Sequence, residues 1–150
     1  MTPAETIRIL KKIKPKTRKD LDGRLKYRYL GSGCYRAAFL LLDSDIVIKF
    51  PIKGKHHSRR EILVVRKILR NRCLKHLVRY IPKIHYMDFQ NGVIALERLK
   101  RTGRDVSAVC NVLEKMFEDS LSSHSTDIHR WNVGQDRKGD LKIFDFGLVL

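Results

Sequence analysis

The chain has 150 residues, 43% of them hydrophobic, which is enough for one domain with a real core and too few for two ordinary ones. This hydrophobic content predicts a folded chain and not a disordered one, while the 32 basic and 16 acidic residues give a net charge of +16, which favours an anionic partner. No apolar run is long enough to span a membrane, no signal-peptide pattern opens the chain, and Cys34, Cys73 and Cys110 lack paired or metal-binding spacing. These features predict a cytoplasmic protein with reduced thiols.

The net charge by itself does not identify the class of partner. An acidic protein is the first expectation; nucleic acid, an anionic membrane surface and polyphosphate are alternatives, and a role in solubility alone also explains the composition. No aromatic residues interleave with the basic ones in the manner of single-strand binders, so nucleic acid is the lesser alternative.

The first quarter of the chain predicts a helix, a linker and a strand. Apolar positions at helical spacing predict a short amphipathic helix over residues 4–13, which Pro15 ends. Residues 14–19 form a basic linker. Alternating apolar and polar residues predict a half-buried strand over residues 25–30.

Gly31, Ser32 and Gly33 follow that strand. Glycines in this position let the backbone approach phosphates closely with its amide groups, although a plain hairpin turn accounts for the same residues. Two further strands follow, the second over residues 45–50. It contains Lys49 between apolar neighbours, where a charge is costly unless it meets an opposite charge.

Two partners are predicted for Lys49: a nucleotide phosphate, and Glu61. Glu61 is the only acidic residue of a basic amphipathic helix predicted over residues 58–70, with Ser58 as its cap. The alternative is that Glu61 merely offsets the arginines beside it at the helix start.

Further along, two more elements are indicated by pattern. Residues 84–89 and 92–97 predict a hairpin, because an Asn-Gly turn between apolar runs is a strong hairpin signal. Residues 106–121 predict a helix with a wide apolar face that includes Val109 and Val112.

The last quarter of the chain contains the residues on which the prediction of a catalytic site depends. Asp127 and Asn132 stand five apart, and Asp145 follows after a hairpin predicted over residues 133–144. That hairpin would bring Asn132 and Asp145 to the same end of a small sheet. Mg²⁺ binds through one or two carboxylates together with substrate phosphates, so the pattern predicts a phosphoryl-transfer site. The alternative is that these are accidental loop sequences.

These motifs together resemble the protein-kinase-like superfamily. Asp145-Phe146-Gly147 resembles the metal-binding tripeptide, and residues 127–132 resemble the catalytic loop, in which an Asp accepts the hydroxyl proton and an Asn holds metal. His129 stands where protein kinases usually carry Lys, a pattern closer to small-molecule phosphotransferases and some atypical kinases.

The resemblance implies roles for further residues. Lys49 would hold phosphates against Glu61, and His129 would stabilise the transferring phosphoryl group. The cofactor-binding residues would be Gly31, Ser32, Gly33, Lys49, Leu96 as gatekeeper, and Glu97 and Leu99 through their backbones, with Asn132 and Asp145 as metal ligands. Arg36 departs from the pattern, because it occupies the place of the third loop glycine, where it would add a phosphate contact or crowd the loop.

The resemblance also implies a fold and domain plan. We expect an α+β protein with a helix and basic linker over residues 1–24 and a minimal kinase-like domain over residues 25–150. Residues 25–97 would be the small antiparallel-sheet lobe with one helix. Residues 98–150 would be a much reduced helical lobe ending just after Asp145-Phe146-Gly147. Similar minimal kinases occur among secreted bacterial effectors; if this protein is one of them, its cytoplasmic location would be the cytosol of a host.

The function implied is ATP- and Mg²⁺-dependent transfer of the γ-phosphoryl group to a hydroxyl on a protein, with an acidic partner as activator. Two alternatives remain. One is a catalytically weak kinase-like module that docks an acidic protein, and the other is a nucleic-acid binder.

Overall fold

The computed structural model describes residues 1–102, 105–121, 128 and 132–143. Its α-helices are α1 (Pro3–Ile13), α2 (His56–Arg70) and α3 (Ser107–Leu121), with 3-10 helices at Arg18–Leu21 and Arg72–Tyr80. The strands are β1 (Tyr27–Ser32), β2 (Arg36–Leu41), β3 (Ile46–Pro51), β4 (Ile84–Asp88), β5 (Val93–Glu97), β6 (Lys100–Arg101), β7 (Val133–Gln135) and β8 (Leu141–Ile143).

The chain forms two compact units that differ in extent from the predicted lobes. The first unit contains Met1–Ile62 and Lys83–Arg98, and the second contains Leu63–Pro82 and Leu99–Leu150. The N-terminal helix therefore belongs to the first unit and does not stand apart from it. The domain boundaries at residues 25 and 98 stay predictions.

The first unit is built on a five-stranded antiparallel sheet of order β1-β2-β3-β5-β4. This sheet confirms the predicted α+β class. The predicted hairpin of β4 and β5 is present, and local chemistry closes its turn. Asp88 accepts hydrogen bonds from the Asn91 amide at 3.1 Å and from Asn91 Nδ2 at 2.7 Å, and Gly92 has φ +67°, a left-handed conformation that favours glycine.

The N-terminal segment packs on this unit's hydrophobic core. Thr2 and Glu5 form a capping box that starts α1, and the Lys14 amide bonds to the Leu10 carbonyl where the helix ends. Leu10 and Leu21 are fully buried in a cluster with Phe39, Ile48 and other sheet residues. The predicted helix is thus confirmed, and the segment after it folds back as a 3-10 turn that buries Leu21.

The helix α2 starts two residues earlier than predicted, so the predicted cap is wrong. Ser58 lies inside the first turn of α2 and is 2% exposed. Its Cβ lies close to Gly92, where an added Cβ would come within 3.1 Å of it. The first turn of α2 therefore packs tightly against the turn between β4 and β5.

The second unit contains a three-stranded antiparallel sheet of order β6-β7-β8. The hairpin of β7 and β8 is present as predicted, with Val133 opposite Ile143, whereas β6 was not predicted. Helix α3 buries Cys110, Leu113 and Phe117.

Two residues of the predicted apolar face of α3 are exposed. Val109 is 40% exposed and Val112 is 67% exposed, so the buried face is narrower than helical spacing indicated. In the part of the chain that is described, no helix has the length and apolar character required to cross a membrane. The thiols of Cys34, Cys73 and Cys110 are all free, and only that of Cys110 is buried.

Candidate functional site

Lys49 lies in the middle of the five-stranded sheet. It stands opposite Ala38 on β2 and Ile94 on β5, and Ala38 in turn stands opposite Gly31 on β1. Directly opposed residues of antiparallel strands point to the same face, so these four positions form one row across the sheet. This face is opposite to the one that Phe39 and Ile48 present to the core beneath α1, because side chains alternate along each strand.

The Lys49 ammonium is paired with the Glu61 carboxylate. Lys49 Nζ lies 3.0 Å from Glu61 Oε1, and the two residues are only 7% and 1% exposed. Of the two arginines beside Glu61 at the start of the helix, Arg59 donates to the carbonyls of Phe89 at 3.1 Å and Gln90 at 2.7 Å. The contact predicted from the cost of burying a lone charge is present, while the catalytic role of the pair stays a prediction.

Arg36 joins this pair from the neighbouring strand. Its guanidinium forms an ion pair with Glu61 Oε2, so each carboxylate oxygen of Glu61 has a cation of its own. Arg36 stands two residues before Ala38 on β2, so its side chain points to the same face of the sheet as those of Ala38 and Lys49. Arg36 is 9% exposed. This contact was not predicted; the alternation of side chains along β2, which puts Arg36 on the same face as Ala38, was a signal for it.

The glycine segment forms the hairpin between β1 and β2. The Gly33 amide donates to the Arg36 carbonyl at 2.9 Å, and the Ile52 amide donates to the Tyr35 carbonyl at 2.8 Å. Among the residues that the structure describes, and leaving aside their chain neighbours, nothing lies within 4 Å of the Cβ positions of Gly31 and Gly33. The space beside these glycines is therefore open to a ligand, and their contact with phosphates stays a prediction. Ser32 Oγ accepts a hydrogen bond from the Tyr29 hydroxyl at 2.8 Å.

The residue after Cys34 contacts the start of α2. The Tyr35 ring stacks on the His57 ring with centroids 3.7 Å apart and an angle of 28° between the planes. His57 lies one helical turn before Glu61, so the stack adjoins the ion pair of Arg36 and Glu61.

The predicted adenine-contacting residues fall at the end of β5 and just beyond it. Leu96 is buried, at 3% exposure. The Glu97 amide donates to the Lys83 carbonyl at 2.9 Å, and the Glu97 carboxylate accepts from the Lys83 amide at 2.8 Å. The Glu97 amide is thus already hydrogen-bonded within the first unit, and a backbone contact of Glu97 with adenine stays a prediction. Leu99 belongs to the second unit, where its side chain lies beside Gly134.

Of the predicted catalytic and metal residues near the end of the chain, only Asn132 is described. It is 8% exposed and directly precedes β7, at the end of the hairpin where Val133 pairs with Ile143. Asp127, His129 and Asp145 lie outside the described residues. Within residues 1–102, 105–121, 128 and 132–143, no group of three His, Cys, Asp or Glu side chains could hold a metal ion. An Asn oxygen and a carboxylate are nevertheless the donors that Mg²⁺ accepts.

Comparisons with known proteins give a likeness in structure but none in sequence family. No family model matches the chain, and no curated protein matches it. Among solved structures, the chain is similar to the streptomycin–ATP–APH(2")-IIa ternary complex, with 24% sequence identity and a TM-score of 0.41. The match covers 77% of this chain and 35% of that one, so this chain spans only about a third of the length of the protein it matches.

Proposed function

We propose that the protein is an ATP-dependent phosphotransferase that moves the γ-phosphoryl group to a hydroxyl. The observation that supports this most is the buried pair of Lys49 and Glu61, 3.0 Å apart, on the sheet face that also carries Gly31. In kinases a lysine on the third strand, paired with a helix glutamate, holds the nucleotide phosphates. The pairing fixes the ammonium in place before any nucleotide arrives, and such positioning is the main source of catalysis in phosphoryl transfer.

The nucleotide would be bound by the first unit. The backbone amides of the segment from Gly31 to Gly33 would face its phosphates, because the space beside both glycines is open. Leu96 would pack against adenine, and the Glu97 carbonyl would accept a hydrogen bond from it, since the Glu97 amide already bonds to Lys83.

The remaining roles fall to the second unit. Asp127 would orient the acceptor hydroxyl and take its proton, and His129 would stabilise charge on the transferring group. Asn132 and Asp145 would hold Mg²⁺, which supplies neutralisation of phosphate charge when bound. The acceptor we propose is a protein hydroxyl.

We further propose that an acidic protein partner binds a basic surface formed by residues 1–28, here called the N-terminal basic surface. This segment has ten basic and three acidic residues, and all ten basic side chains are exposed. Two of its carboxylates serve local structure: Glu5 caps α1, and Asp20 accepts from the amides of Lys16 at 2.8 Å and Thr17 at 2.9 Å. Because α1 packs on the sheet face opposite to Lys49, a bound partner would leave the Lys49 face of the sheet uncovered.

Phosphoryl transfer from labelled ATP with Mg²⁺, measured on the protein itself and on lysate proteins, tests the proposed enzyme. Asp127→Ala should abolish transfer and leave ATP binding largely intact, because that carboxylate acts on the hydroxyl. Asp119→Ala, an exposed acidic residue of α3, is the control and should keep the wild-type rate. An Asp127→Ala protein that transfers phosphate at the wild-type rate would refute the assignment.

Partner binding is tested separately by its dependence on salt. Association through the N-terminal basic surface should weaken as salt rises from low to high, because exposed charges are screened over about 8–10 Å at physiological ionic strength. Replacement of Lys11, Lys12 and Arg8 by Gln should weaken capture of the partner in the same way. Capture of nucleic acid in place of an acidic protein would favour the nucleic-acid alternative, and binding unaffected by salt would contradict electrostatic docking.

A further inference from the structure

We infer that Arg36 is a positioning residue that couples the glycine hairpin to helix α2 through Glu61. The inference rests on the proposed function, because Arg36 would act by aligning Lys49 for a nucleotide. Arg36 begins β2, three residues after Gly33, and its guanidinium pairs with Glu61 Oε2 while Lys49 takes Oε1 at 3.0 Å. A movement of the start of β2 would therefore act directly on the carboxylate that holds Lys49.

A second contact runs beside the first. Tyr35 stacks on His57, and the next residue, Arg36, pairs with Glu61, one helical turn further along α2. Consecutive residues of the hairpin thus contact two positions on the same side of the helix. The two contacts have different chemistry, aromatic stacking and a buried ion pair, and they act between the same two segments.

The hairpin segment that makes these contacts is itself fixed. The Gly33 amide bonds to the Arg36 carbonyl, and the Tyr35 carbonyl accepts from the Ile52 amide just beyond β3. These bonds join the glycine turn to Tyr35 and Arg36, so the turn and the contacts with α2 are expected to move together. Occupancy of the glycine turn by phosphates would then be transmitted to α2 and to the pair of Lys49 and Glu61.

Hydrogen exchange of the full chain, measured by mass spectrometry with and without ATP and Mg²⁺, tests this coupling. In the wild type, nucleotide should slow exchange both in the hairpin (residues 31–36) and in the first turns of α2 (residues 56–62). Arg36→Met, which keeps much of the side-chain volume and removes the charge, should keep the protection of the hairpin at saturating ATP and lose that of α2. Its ATP affinity should fall about tenfold, within the usual range for coupled sites.

Two further variants separate coupling from a general loss of structure. Arg36→Lys keeps the charge but lacks the planar fork, so it should restore part of the protection of α2 and of the affinity. Arg59→Met is the matched control: it removes a different arginine, one that lies in α2 and bonds to the carbonyls of Phe89 and Gln90, and it should leave the coupling unchanged. If Arg36→Met does not fold, Arg36→Lys carries the test.

Protection of both regions in Arg36→Met at the wild-type level would overturn the inference. Absence of any protection by ATP in the wild type would defeat the proposed function instead. In that case nucleotide-free exchange decides the role of Arg36. Residues 56–62 should exchange about tenfold faster in Arg36→Met than in Arg59→Met, and equal rates would overturn the coupling as well.

Discussion

Replacement of Glu61 by alanine should be among the most destabilising single changes in this chain. The carboxylate is 1% exposed and neutralises two cations, Lys49 and Arg36, that are themselves 7% and 9% exposed. Its removal leaves both cations buried without the carboxylate they share. Breaking a buried ion pair by deleting one partner typically costs about 3–5 kcal/mol, which is a large part of the roughly 5–15 kcal/mol that stabilises a typical domain.

Urea denaturation and thermal unfolding measure this loss. For a chain of this size, 1 kcal/mol shifts the melting temperature by about 2–4 °C, so Glu61→Ala should lower it by roughly 6–20 °C. Glu61→Gln keeps the shape and removes only the charge, and should lose most of the same free energy. Asp119→Ala removes an exposed carboxylate from α3 and should stay within about 0.5 kcal/mol of the wild type.

A loss of less than about 1 kcal/mol in Glu61→Ala, the value typical of an exposed ion pair, would contradict this prediction. Such a result would mean that the carboxylate is not the shared counter-charge of Lys49 and Arg36. It would also remove the structural basis for the alignment of Lys49.

Three other predictions concern single positions. Gly33→Ala should leave the free energy of unfolding nearly unchanged, because no described residue other than its chain neighbours lies within 4 Å of its Cβ position. It should nevertheless weaken ATP binding in a calorimetric titration if phosphates approach that backbone. Gly134→Ala should destabilise the protein by about 1–3 kcal/mol in urea, because the added Cβ would lie 2.9 Å from Leu99 Cβ and 3.0 Å from the Lys100 carbonyl oxygen; unchanged stability would contradict that close approach. Burial lowers the pKa of His85, and the charge of Lys83 lowers it further. Below the unfolded-state pKa of about 6.5, the unfolded chain therefore binds more protons than the folded one, and the free energy of unfolding should fall as pH decreases. His85→Gln should remove that part of the pH dependence, and identical pH profiles of the two proteins would contradict the lowered pKa.

Much of the first unit could be predicted from sequence because its signals are local. The turn between β4 and β5 is determined by Asn91 and Gly92, which supply a side-chain hydrogen bond and a left-handed conformation within four residues. Helix α1 is likewise predicted by apolar residues at helical spacing. By contrast, β6 is only two residues long and is defined by its pairing with β7. That pairing joins residues more than thirty positions apart, so the local sequence does not indicate it.

The pair of Lys49 and Glu61 was predictable because a charge inside an apolar strand requires a partner, and the next helix offers a single carboxylate. The contribution of Arg36 was not predicted, since its direction depends on the register of β2 against β3, in which Ala38 faces Lys49. Val109 and Val112 were predicted to be buried, and that prediction was wrong. Both are apolar and at helical spacing, but they are exposed, because burial depends on which other elements pack against the helix.

We propose that this chain binds ATP with Mg²⁺ through Lys49 and transfers the terminal phosphoryl group of ATP. Isothermal titration of the full chain with ATP, with and without Mg²⁺, tests it most directly. We predict binding by the wild type, weaker binding by Lys49→Ala, loss of the Mg²⁺-dependent part in Asp145→Ala, and nearly unchanged binding by Asp127→Ala. No heat of binding from the folded wild type with ATP or ADP and Mg²⁺ at concentrations on the order of 1 mM, the upper end of typical KM values, would contradict the proposal.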